Sequence, residues 1–221
     1  MMLSSTEENY LKAIYKLQEK TAEAISTNAI AARMETSAAS VTDMIKRLSE
    51  KELIHYEKYK GVRLSETGRQ TATLLVRKHR LWETFLVEKL NFSWDEVHPM
   101  AEELEHIQSE ELVNRLDAFL GNPKFDPHGD PIPDREGNFA SNNHIPLAEL
   151  AFGSHAIIVG VKDHTPSFLR YVEQLRLVLG TRIVLLERFE YDQSLRLLID
   201  EQHDTIITQK VSNNLYVNPV F

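Results

Sequence analysis

Residues 37–64 read SAASVTDMIKRLSEKELIHYEKYKGVRL, and two periodicities meet inside them. From Ser37 to Leu48 the apolar positions Val41, Ile45 and Leu48 recur at spacings of four and three, one stripe of an amphipathic helix. The Ser37 hydroxyl is suited to accept from the N–H groups of the next turn, which marks the helix start. From Leu53 the pattern changes to alternation, in two runs joined around Lys60-Gly61, the signal of a β-hairpin. Upstream, Ser26 or Thr27 caps a shorter helix through Met34, and Glu35-Thr36 leaves room only for a tight turn. Two short helices across a tight turn, followed by a hairpin, predict a winged helix-turn-helix. The polar side of the second helix suits a major groove, and the hairpin cations suit phosphates. Ser37, Ala39, Ser40, Thr42, Asp43, Lys46, Lys58 and Lys60 are therefore the candidate DNA-contacting residues. Asp43 stands apart, because a carboxylate repels phosphate unless it accepts from a cytosine amino group.

Working outward, Tyr10, Leu11, Ile14, Tyr15 and Leu17 predict an amphipathic helix over Glu7–Glu19. Downstream, a long helix is expected from Ser65 to about Leu90. Ser93-Trp-Asp-Glu96 has the form of a capping box, and helix is expected on to Leu120, where Gly121-Asn122-Pro123 stops it. Pro99 predicts a kink or a fresh start near His98. Four of the eight prolines fall between 123 and 133, so an irregular, linker-like segment is expected through Pro146. Beyond it Ala156–Val161 reads as a strand. A helix follows with Thr165 as cap and Pro166 at its first position, ended by Gly180. Thr181–Leu186, Leu195–Ile199, Thr205–Thr208 and Leu215–Val217 read as further strands. The expected architecture is mainly α with small β. A winged helix-turn-helix (1–73), a helical domain (74–140) and a linker (141–154) precede a small β barrel with one helix (155–221).

Charge divides the chain similarly. Twenty-five Lys and Arg against 33 Asp and Glu give a net charge of −8. Residues 1–80 are nevertheless net +4, residues 81–150 net −11 and residues 151–221 net −1. A basic head suits a polyanion and an acidic middle suits cations. No apolar run approaches the ~18 residues of a membrane span, and the first residues lack the pattern of a signal peptide, so no membrane partner and a cytoplasmic location are expected. The absence of Cys excludes disulfides, thiolate metal sites and Cys nucleophiles.

The acidic middle carries imidazoles at helical spacing. His79 and Glu83 are four apart, while His98, Glu102, Glu105 and His106 fall at i, i+4, i+7 and i+8 and are expected to form one polar stripe on a helix. Nitrogen and oxygen donors without sulfur suit Mn²⁺, Fe²⁺, Co²⁺ or Zn²⁺. The plainer reading is a solvated Glu-rich face. His55, His128, His144, His155 and His203 lack carboxylates at helical spacing and read as surface or loop residues. Glu103-Leu-Glu-His106 has the Glu-x-x-His spacing of di-iron bundles, but those need two such motifs and these helices show one, so no enzyme is expected.

On these residues the chain resembles the metal-dependent transcriptional repressors of the diphtheria toxin repressor and manganese transport regulator family. The resemblance runs through Asn9-Tyr10-Leu11, Ser37 to Leu48, the hairpin and Arg77 to Glu83. It continues through Val97-His98 to Glu105-His106, Asp130 to Pro133 and Phe168 to Val184. It implies a regulatory metal site of Asn9, Glu102, Glu105 and His106. It further implies an ancillary site of His79, Glu83 and His98 completed by Asp163, with His164 beside it as the alternative. It implies an SH3-like (FeoA-like) third domain, a homodimer, and repression of metal-uptake genes from a palindromic double-stranded operator. The cofactor it implies is Mn²⁺ or Fe²⁺. Glu102 stands where the iron-responsive branch has Cys, which slightly favours Mn²⁺. Two positions depart from the family pattern: Asn9 stands where the branches have Met or Asp, and Lys12 where one manganese branch has a bridging Glu. The alternative is a winged-helix regulator switched by a non-metal ligand.

Overall fold

Side-chain caps set where the helices begin. In the computed structural model, which describes residues 3–21, 23–57, 60–141 and 143–220, the Ser4 hydroxyl accepts from Glu7 N–H while the Glu7 carboxylate accepts from Ser4 N–H. This capping box opens α1 (Ser5–Gln18). Ser26 opens α2 (Thr27–Arg33) by accepting from Ala29 N–H, and Ser37 opens α3 (Ala38–Glu50) by accepting from Ser40 N–H. Between α2 and α3, Glu35 takes a left-handed conformation (φ 49°), donating to Ala32 O while Thr36 donates to Ala31 O. That double bond is a Schellman closure, and it makes the turn tight. Glu52 (φ 58°) closes α3 in the same way, with Leu53 N–H on Leu48 O.

The chain then forms the hairpin of β1 (Ile54–Glu57) and β2 (Gly61–Leu64), with Ile54 opposite Leu64 and Glu57 opposite Gly61. A bridge between Ile25 and Val62 ties the segment before α2 to it. Ser65 Oγ accepts from Gly68 N–H at the start of the 25-residue α4 (Glu66–Leu90). Val41, Ile45 and Leu48 are fully buried against Leu11, Ile14 and Ile30. Each such burial contributes about 1.5–3 kcal/mol. This winged helix-turn-helix belongs to a compact unit of Met1–His79, Glu103–Glu110 and Pro133–Phe139.

A second unit comprises Arg80–Glu102, Glu111–Ile132 and Ala140–Phe221. Here the helix expected over 93–120 is two helices, α5 (Val97–Leu104) and α6 (Glu110–Phe119). Because α5 starts at Val97, Pro99 falls in the first turn, where its missing N–H costs no helical bond. Glu105 and His106 therefore lie in the turn after α5 and are not on one continuous helical stripe with His98 and Glu102.

The C-terminal part of this unit is a six-stranded antiparallel sheet in the order β3-β8-β4-β5-β6-β7. Its strands are β3 (Ile145–Pro146), β4 (His155–Val161), β5 (Arg182–Arg188), β6 (Leu195–Ile199), β7 (His203–Ile207) and β8 (Leu215–Val220). It is the SH3-like domain predicted, with two additions. The stretch 141–154, expected as linker, contains β3 and a 3-10 turn whose Leu147 is fully buried, and Thr208 caps a short helix, α8 (Gln209–Ser212). The helix α7 (Pro166–Gln174) ends before Gly180, because Arg176 (φ 59°) and Leu177 donate to Glu173 O and Val172 O in another Schellman closure. Ile158, Leu185, Leu197, Leu215 and Val217 form the core, joined by Trp94 from the segment before α5.

Candidate metal centre and nucleic-acid interface

In the first unit, α1 buries Tyr10, Leu11 and Ile14, and this turns Glu8 and Lys12, one turn apart, toward other buried polar groups. His106 Nδ1 lies 2.6 Å from Glu8 Oε2, and Gln108 Nε2 donates to Glu8 Oε1 at 3.0 Å. Lys78 Nζ stands 3.9 Å from the same oxygen. Burial holds the Lys78 ammonium below the usual lysine range, against the pull of Glu8 and Glu105. Glu105 has no exposed surface. Its Oε2 accepts from Lys12 Nζ at 2.5 Å and faces His79 Nδ1 at 2.6 Å, with Lys12 Nζ 3.3 Å from that nitrogen. A carboxylate can only accept, so the 2.6 Å contact with Glu105 Oε2 places a proton on His79 Nδ1. A carboxylate that orients an imidazole in this way is a common support for a metal ligand.

Asn9 follows Glu8 on α1. Two buried oxygens, Asn9 Oδ1 and Glu105 Oε1, have no hydrogen-bond partner. A buried acceptor left unpaired costs about 1–3 kcal/mol, so this donor set fits a divalent cation better than it fits itself.

In the second unit, Glu83 Oε1 is 3.2 Å from His98 Nδ1, and His98 Nε2 is 3.5 Å from Glu102 Oε1. Sequence reasoning missed the other side of Glu83. His128, read as a surface or loop residue, is buried, with Nδ1 3.8 Å from Glu83 Oε2 and Nε2 donating to Trp94 O at 3.2 Å. Ligand atoms of Glu83, Asp126 and His128 all lie within 4.8 Å of one another. Asp126 Oδ1 accepts from the His128 and Asp130 N–H groups, and its Oδ2 is 3.5 Å from Arg80 Nε. Burial, then the charges of Asp130 and Glu83, push the Asp126 carboxyl well above its ordinary range, and Arg80 only partly offsets them.

The signal in the sequence was Asp126-Pro-His-Gly129, a turn motif whose glycine is obligatory. Gly129 has φ 86°, and a Cβ there would come within 2.1 Å of Val159 O. Gly129→Ala is expected to cost at least about 2 kcal/mol, read as a lowered thermal midpoint; an unchanged midpoint would contradict the close approach. Asp163 is not drawn into these groups: its Oδ1 accepts from Thr165 N–H at 2.9 Å, while the His164 ring lies 5.3 Å from that of His128.

The face of α3 carries the predicted DNA contacts. Ser37, Ala39, Ser40, Asp43 and Lys46 are exposed, and Thr42 is half-buried with its hydroxyl on Ala38 O at 2.8 Å. Lys46 pairs with Asp43 at 3.5 Å, which offsets the repulsion expected of that carboxylate. On the hairpin, Lys60 is exposed beside Glu57, and Lys58 lies outside the described residues.

Three family descriptions match the chain. They are the N-terminal DNA-binding domain of iron dependent repressors over residues 2–62, their metal binding and dimerisation domain over 65–134, and the FeoA domain over 145–219. The iron-dependent repressor IdeR of Mycobacterium tuberculosis is 34% identical over 164 residues, covering 71% of each chain. The diphtheria toxin repressor of Corynebacterium diphtheriae is 34% identical over 131 residues, 59% of this chain and 58% of its own. Among solved structures, a manganese-dependent transcriptional repressor in complex with manganese is 35% identical, with a TM-score of 0.81 over 96% of this chain and 99% of that one. The manganese regulator SloR is 35% identical, with a TM-score of 0.66 over 97% and 98%.

Proposed function

This chain belongs to the diphtheria toxin repressor and manganese transport regulator family of metal-dependent transcriptional repressors, and from that premise we propose that it is a homodimer that binds a palindromic operator when loaded with Mn²⁺ or Fe²⁺ and represses metal-uptake genes. The regulatory ligands are Asn9, Glu102, Glu105 and His106, with Glu8 as a further donor beside His106. The ancillary ligands are His79, Glu83 and His98, completed by Asp163 or by His164 beside it. The division into parts 1–73, 74–140 and 155–221 belongs to the same reading. The observation that carries it is the pair of buried, unpartnered oxygens on Asn9 and Glu105. Among the described residues no helix is long and apolar enough to cross a membrane.

When bound, a divalent cation supplies the positive charge these oxygens lack. Carboxylate and amide oxygens with imidazole and no thiolate favour Mn²⁺, with Fe²⁺ the close competitor. Asn9 and Glu8 sit on α1, within the DNA-binding match, and Glu105 and His106 within the metal-binding and dimerisation match. Shared ligation would restrain one against the other. Two recognition helices entering successive major grooves must stand about 34 Å apart, and ligation that selects this spacing strengthens operator binding by its differential affinity.

Phe119 is two-thirds exposed, packs its ring 6.4 Å from Phe85 and lies under Lys89, an apolar patch suited to a second copy of the chain. Phe119→Asp is expected to shift the dimer to monomer in light scattering; an unchanged mass would move the interface elsewhere.

The decisive experiment uses chelator-stripped protein and a palindrome selected from random DNA with the Mn²⁺-loaded protein. Mn²⁺, or Fe²⁺ under anaerobic conditions, should tighten binding at least tenfold, about 1.4 kcal/mol of coupling. Equal affinity with and without chelator would sink the reading.

A further inference from the structure

Three consecutive residues near the start of α1 reach three different places. Glu8 reaches His106 and Gln108, and Asn9 carries one of the unpartnered buried oxygens. Glu7 reaches the recognition helix. Its two oxygens have separate partners: Oε2 accepts from Ser4 N–H at 2.9 Å and closes the capping box, while Oε1 accepts from Lys51 Nζ at 2.5 Å. Lys51 ends α3, its N–H still on Arg47 O at 3.2 Å. The Glu7 and Lys51 side chains are 10% and 20% exposed, so the pair is largely withdrawn from solvent. We propose that the Glu7–Lys51 ion pair is the link that fixes the end of α3 to the ligand-bearing turn of α1, so that ligation at Glu8 and Asn9 orients the recognition helix through it. The inference rests on the metal reading above and deepens it. Both are positioning residues, which act on DNA through α3.

Helix electrostatics favour the junction. Glu7 sets a negative charge in the first turn of α1 and Lys51 a positive charge at the C-terminus of α3, each favourable against its own helix dipole. The pair also supplies what the apolar contacts lack. Leu11 and Ile14 share a core with Val41, Ile45 and Leu48, but apolar burial is non-directional and does not by itself set the orientation of one helix end against another. A short charge-assisted hydrogen bond holds one distance and one direction. The first turn of α1 then cannot shift to meet a cation without carrying the end of α3 with it. The Lys46–Asp43 pair on the same helix could not serve in this way, because both its side chains are mostly exposed and solvent screens them.

The test measures operator affinity of the full chain with and without Mn²⁺, on the palindrome selected above, for wild type, Lys51→Met, Glu7→Gln and the double variant. Mn²⁺ affinity without DNA is read by calorimetry, and folding by the thermal midpoint. Glutamine keeps the capping box. The two single changes alter the net charge in opposite directions, so a general electrostatic effect on DNA would shift metal-free operator affinity oppositely in the two. The expected result is the same in both: the gain from Mn²⁺, about tenfold or more in wild type, falls to about threefold or less, while DNA-free Mn²⁺ affinity and metal-free operator affinity stay within about twofold of wild type. The double variant is expected to lose no more than either single, the mark of one shared interaction. A folded single variant that keeps the wild-type gain overturns the proposal, as do opposite shifts in metal-free affinity. So does a gain lost only together with Mn²⁺ affinity, which would make the pair a support of the metal cluster and not a link to α3. Wild type with no gain from Mn²⁺ defeats the metal reading itself, a result distinct from all of these.

Discussion

Replacing Glu105 with leucine should remove about 3–5 kcal/mol from the stability of the metal-free chain, because it takes one member of a buried ion pair away from the other. Glu105 is fully buried and is the partner of both Lys12 and His79. Its loss removes the carboxylate that lies 2.5 Å from Lys12 Nζ and 2.6 Å from His79 Nδ1. The double replacement Lys12→Met with Glu105→Leu is expected to recover most of the loss, since exchanging a whole buried ion pair for apolar groups is often near neutral. Urea unfolding of the chelated proteins gives both values. Equal losses in the single and double variants would mean that the pair is not what makes Glu105 matter. Excess Mn²⁺ adds a second readout: at a hundred times its dissociation constant it should stabilise wild type by about 2.7 kcal/mol, and add nothing through this cluster in either variant.

The second large effect is expected at Ser40. Ser40→Glu should weaken operator binding at least about 100-fold, some 2.7 kcal/mol, because it sets a carboxylate on the exposed face of α3 opposite DNA phosphate. The helix should survive the change. Ser40 is the third residue of α3 after the Ser37 cap, and its N–H already donates to Ser37 Oγ at 3.1 Å. A carboxylate at that position completes a capping box. Mn²⁺ binding measured calorimetrically should therefore match wild type. Parallel loss of DNA and metal binding would show that the wrong face of α3 has been assigned to the groove.

What the sequence made legible was whatever a local pattern encodes. The stripe of Val41, Ile45 and Leu48, the Ser26 and Ser37 caps, the hairpin around Gly61 and the strand Leu195–Ile199 all rest on neighbours within a few residues, and all are present. What escaped was set by distant partners. Glu8 looks like any acidic residue in a first helical turn, and only His106, 98 positions away, makes it part of a cluster. His128 has no periodic neighbours, yet Trp94 and Glu83 enclose it. The break between α5 and α6 was hidden because Glu105, polar in sequence, is buried by its ion pair, so a pattern of polar residues read as one continuous face. The end of α7 was misjudged because an arginine fills the left-handed place that glycine usually marks.

That substitution of side chains for glycine recurs. Glu35, Glu52 and Arg176 each hold a left-handed conformation at the close of a helix, where a Cβ is strained and a glycine is not. The fold therefore carries unrealised thermal headroom at its helix ends, at exposed positions none of which is a candidate ligand. A lineage under pressure to work at higher temperature has an inexpensive route open to it, one that leaves metal preference and operator choice where they are.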